Sequence, residues 1–137
     1  MALQITPLSP VIGAEVSGVD FSQTLDAATL DELKTAWFSH LVLFFRDQVL
    51  TFQQHKDLGR HFGDLHIHPA APKDAENPEI LVVHGDDKVK FVAGELWHSD
   101  VSCDVEPPMA SILRTIFPAV GGALWSACLD LGYPKNV

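Results

Sequence analysis

The stretch that decides the reading of this chain is ELWHSDVS, Glu95–Ser102. Its core, His98-Ser99-Asp100, sets an imidazole and a carboxylate two residues apart. On a β-strand successive side chains alternate between faces, so residues i and i+2 point the same way. On such a strand, one nitrogen and one oxygen ligand are presented to a single point. That is two-thirds of a 2-His-1-carboxylate facial triad, which leaves open positions on a non-haem Fe(II) ion. Taken alone, the tripeptide fits a surface pair or a hydrogen-bonded structural pair as readily, so its surroundings must decide.

On either side the pattern is that of strands. EILVVH (Glu79–His84) and MASILRTI (Met109–Ile116) are short, β-branched and apolar, and the polar run Asp86–Lys90 reads as a turn. Upstream, Leu65–Pro78 is proline-rich and reads as a loop. Helices fall in the first half. A helix is expected over Ala27–Ser39, with Leu30, Leu33 and Trp37 on one face and Thr29 with Glu32 as its capping box. A second is expected to open at Thr51, boxed with Gln54, and to stop at Gly63, with Phe52, Leu58 and Phe62 sharing a face. Between them LVLFF (Leu41–Phe45) reads as a buried strand, and Ile5–Phe21 as short strands and turns. Helices first and strands later define an α+β class rather than a doubly wound sheet.

With 137 residues the chain is long enough for one domain. A net charge of -9 with no run of Lys or Arg counts against nucleic acid and against an anionic membrane surface. Cys103 and Cys128 form no CxxC pair and suit a reducing compartment. With no signal-like start and no long apolar segment, the expectation is a cytoplasmic protein.

Several further motifs occur in order around His98-x-Asp100: LHIHP (Leu65–Pro69), EPPMASIL (Glu106–Leu113) and VGGALW (Val120–Trp125), preceded by Pro7–Ser22 and VLFFRDQVL (Val42–Leu50). Together they resemble the taurine dioxygenase family, TauD/TfdA, of Fe(II)/2-oxoglutarate-dependent dioxygenases, from Ile5 to about Trp125. The resemblance implies a double-stranded β-helix (a jelly-roll, cupin-like fold) with flanking helices. It implies Fe(II) as cofactor, 2-oxoglutarate and O2 as co-substrates, and hydroxylation of a small organic acid such as a sulfonate, with 2-oxoglutarate decarboxylated to succinate. His98 and Asp100 map as iron ligands. His68 maps to a substrate-binding position, where an imidazole could hydrogen-bond an acidic group; the alternative is a loop histidine in water. His66 has no such role, and Trp97 reads as packing.

Some features depart from the family. All seven histidines (40, 55, 61, 66, 68, 84 and 98) lie at or before the motif, so the family's distal His and the following 2-oxoglutarate-binding Arg have no counterpart. Ala123 stands where the family has Asp-Thr, so the co-substrate loses a hydroxyl partner, and Ala71 and Gly94 replace a taurine-contacting Tyr and Asn. Residues 126–137 diverge. The chain therefore reads as a single, C-terminally truncated domain over 1–137. A non-catalytic remnant stands as the alternative to an active enzyme, and open strand edges allow pairing into a homo-oligomer. A zinc hydrolase is disfavoured because no second histidine lies close to His98. Arg114 reads as a solvated strand-end residue rather than a carboxylate clamp, and Cys103 as no ligand.

Overall fold

The computed structural model describes residues 2–69, 71–72, 75–85, 101–102, 104–116 and 124–131. His98 and Asp100, together with Trp97, Cys103, Ala123 and the expected turn at 86–90, lie outside them. The chain groups into two compact units, Met1–Gln54 and His55–Val137.

The first unit holds a three-stranded sheet in the order β1-β2-β3, with β1 Gln4–Pro7, β2 Ala14–Ser17 and β3 Leu43–Phe44. β1 and β2 run antiparallel, with Ile5 opposite Val16. β2 and β3 run parallel, which requires a crossover, and helix α1 (Ala27–His40) supplies it. Leu33 of α1 is 1% exposed, and Ala14, Val16, Phe21 and Ala36 are also buried. Gln48 stitches the loops: its side-chain oxygen accepts from the Phe21 amide at 2.9 Å, and its nitrogen donates to the Val19 carbonyl at 3.2 Å. Gly18 follows β2 at φ +86, and a Cβ there would meet the Ala2 carbonyl oxygen at 2.7 Å. Any side chain would therefore push the N-terminal strand away.

Two expectations for this unit are corrected. The cap of α1 is Asp26, not Thr29: the Thr29 amide donates to the Asp26 carboxylate at 2.7 Å. That bond holds the Asp26 carboxyl below the usual carboxylate range. The expected box fails because the helix already begins at Ala27, two residues before Thr29. LVLFF is not a buried strand either. Leu41 ends α1 at φ +65, its amide reaching back to Trp37, and only Leu43–Phe44 pair, with Phe44 44% exposed.

Helix α2, Phe52–Arg60, bridges the grouping boundary. Its capping box forms as expected: the Gln54 amide donates to Thr51 Oγ1 at 3.2 Å, and the Thr51 amide donates to Gln54 Oε1 at 2.8 Å. The helix ends at Arg60 rather than at Gly63, whose amide still reaches the Gly59 carbonyl at 3.2 Å in the turn that follows.

The second unit holds an antiparallel sheet in the order β4-β6-β5, with β4 Ile80–Gly85, β5 Ala110–Ile116 and β6 Leu124–Leu131. β4 and β5 match the expected strands closely. β6 was not expected: it lies mostly in the divergent tail, yet it is the central strand, with Leu129 opposite both Ile80 and Ile112. Ile80 and Ile112 therefore share a face, and Ile80 is packed by Phe62, Leu65, Met109, Ala110 and Ile112. The class is α+β. A closed jelly-roll is not seen among the described residues; the strands form two separate three-stranded sheets.

Candidate active site around the His68 turn

The candidate site is built from the end of α2, the loop after it and the turn that follows Asp100. Leu65 packs onto the Ile80 core and so anchors the start of LHIHP. Three residues on, the Ala71 amide donates to the His68 carbonyl at 2.8 Å, closing a turn that leaves His68 half-buried. On the other side the Asp104 amide donates to the Val101 carbonyl at 3.0 Å. Val101 has φ +46, in the left-handed region that a β-branched residue rarely occupies.

A contact that the sequence did not suggest joins these turns. His66 Nε2 lies 3.4 Å from Asp104 Oδ2. No local pattern signals it, because the partners are far apart in the chain. His55, also given no role from sequence, is fully buried, and its Nε2 lies 3.1 Å from the Ile112 carbonyl oxygen. A carbonyl can only accept, so Nε2 carries the proton. Burial, and then the nearby Arg114 charge, lower the His55 pKa from its ordinary 6.5, while the Ile112 bond opposes them. Here a signal did exist: His55, Leu58 and Gly59 recur at helical spacing on the covered face of α2.

Arg114 corrects another expectation. It sits within β5 rather than at its end, it is half-buried, and burial lowers its pKa below the ordinary guanidinium range. It is not a solvated strand-end residue. Of the expected site residues, the structure describes His68 alone. No group of three or more His, Cys, Asp or Glu able to hold a metal occurs among the described residues. No helix among them is long and apolar enough to cross a membrane.

Comparison with known proteins assigns the chain. Residues 4–125 match the model of the Taurine catabolism dioxygenase TauD, TfdA family, and the chain belongs to that family. It is 34% identical over 129 residues to an alpha-ketoglutarate-dependent sulfate ester dioxygenase of Pseudomonas putida, covering 92% of this chain and 42% of that protein. It is also 34% identical over 136 residues to an (S)-phenoxypropionate/alpha-ketoglutarate-dioxygenase of Sphingobium herbicidovorans, covering 96% and 47%. Among solved structures it is similar to a taurine dioxygenase from Burkholderia xenovorans: TM-score 0.71 and 35% identity, over 87% of this chain and 42% of that one. The chain thus spans less than half the length of the relatives it matches.

Proposed function

We propose that these 137 residues supply the His-x-Asp side of an Fe(II)/2-oxoglutarate dioxygenase site and do not turn over on their own. The observation that carries this is the family match over 4–125 combined with the absence of any histidine after His98. The donor chemistry of His98 and Asp100 suits Fe(II), but two protein ligands fall one short of the facial triad. When bound, the metal and 2-oxoglutarate would supply oxidative hydroxylation of a C–H bond, with succinate and CO2 released.

In this proposal His98 and Asp100 hold the metal, and His68 faces the substrate, where its ring can donate to an acidic oxygen. The relatives point to the substrate class, since one acts on a sulfate ester and another on phenoxypropionate. A small organic acid, sulfonate or related, fits both. The jelly-roll of the family is the frame we propose for the complete site, with the β4-β6-β5 sheet as part of it. With Ala123 in place of the family's Thr, 2-oxoglutarate loses one anchor, a charge-assisted bond being worth about 1.5–3 kcal/mol.

The test is an anaerobic titration of the chain with Fe(II) and 2-oxoglutarate, reading the visible charge-transfer band of the chelate. The expected result is no band at micromolar concentrations. A clear band, lost in His98→Ala, would overturn the inactive reading.

A further inference from the structure

Two turns of the second unit are joined by a polar contact. One carries His68 and is closed by the Ala71 amide. The other begins one residue after Asp100 and is closed by the Asp104 amide on the Val101 carbonyl. His66 Nε2 and Asp104 Oδ2 lie 3.4 Å apart between them.

The two sides differ in their surroundings. The His66 side chain is 19% exposed and that of Asp104 44%, so the contact lies at the edge of solvent rather than in open water. His66 Nδ1 is buried and has no hydrogen-bond partner among the described residues. The ring is thus oriented with its Nε2 toward the carboxylate and its Nδ1 inward. The Val101 turn is strained: at φ +46 the Cβ of an L-residue crowds the following carbonyl, most severely when branched. Such a conformation persists only when its surroundings hold it. Asp104, which closes that turn, is the residue that His66 holds.

We infer that His66 and Asp104 form a positioning clasp, which fixes the turn bearing His68 against the strained turn that leaves the His98/Asp100 pair. Its use in catalysis rests on the dioxygenase reading, in which the substrate-facing His68 must be set relative to the metal ligands. Neither clasp residue is assigned to metal or substrate in that reading; each acts through its own turn. An ordinary surface ion pair would leave both backbones unchanged when cut, whereas a clasp transmits the cut from one turn to the other.

The experiment uses the full chain without metal, so its result is separate from that of the iron titration. Hydrogen exchange is followed at residues 65–69 and 101–104, and the histidine ring signals by NMR, in Asp104→Ala, His66→Ala and the double variant. Asp104→Ala should speed exchange at 65–69 by about threefold or more and shift the His68 ring signal; His66→Ala should do the same to exchange at 101–104. The double variant should add nothing further, as expected of partners in one interaction. An unchanged His40 ring signal and circular dichroism spectrum report an intact fold, and Asp104→Ser replaces the alanine variant if that does not fold. Effects confined to the substituted residue's own turn, or strictly additive in the double variant, would overturn the clasp.

Discussion

His55 Nε2 donates to the Ile112 carbonyl across 3.1 Å, binding helix α2 to strand β5 through a ring with no exposed surface. The bond links the residue that opens the second unit to a strand more than fifty positions away. It also places a titratable group where its charged form is penalised twice, by burial and by the Arg114 charge.

That penalty fixes the sign of a pH effect. The folded His55 pKa lies below the unfolded value near 6.5, so the unfolded chain takes up the proton first as pH falls. The stabilisation is complete above pH 6.5 and declines as pH drops toward the folded pKa. Urea midpoints should fall between pH 7.5 and 5, and His55→Gln should flatten that part of the curve; a midpoint equally pH-dependent in the variant would disprove it.

Truncating the same ring should be costly. His55→Ala removes a filled volume and strands the Ile112 carbonyl, for a loss of about 2–4 kcal/mol in equilibrium unfolding. A loss under about 1 kcal/mol would mean that water enters and restores the bond.

Lys56, beside it, is a buried cation at 9% exposure, with its Nζ 2.9 Å from Asn77 Oδ1 and 3.7 Å from Glu79 Oε2. Lys56→Met leaves the half-buried Glu79 carboxylate without its partner and should cost about 1–3 kcal/mol. Adding Glu79→Gln should recover part of that loss in a double-mutant cycle, and simple additivity would show that the pair is not coupled.

The exposed pair Arg46–Glu15 is the contrasting case. At 3.0 Å its geometry is good, yet both side chains reach solvent. Arg46→Ala should change stability by less than about 0.5 kcal/mol, and added salt should abolish even that; a larger effect in denaturant melts would mark an unseen structural role.

Val101→Gly tests the strained turn. Glycine accepts φ +46 without a Cβ clash, so relief of strain should exceed the added chain entropy and raise stability by about 1 kcal/mol. A lower melting temperature would show that the packing of the half-buried valine side chain outweighs the strain.

The sequence by itself determined the family, because several motifs stand in order around His98 and Asp100 and no tertiary information is needed to read them. It determined the α+β class, both helices, and the strands β4 and β5, since apolar periodicity and the Thr51–Gln54 box act over a few residues. It also showed that, within these 137 residues, no histidine follows His98. What depends on partners distant in the chain was decided only by the tertiary structure. LVLFF looks buried by composition, but only two of its residues find a strand to pair with. The tail from Ser126 carries no family pattern, yet with Leu124 and Trp125 it forms the central strand because β4 and β5 both pair with it. His66 carries no local mark of a role; Asp104 provides one only when folding brings the two turns together. Local signals are written in neighbouring residues, whereas burial and long-range pairing are properties of the folded chain.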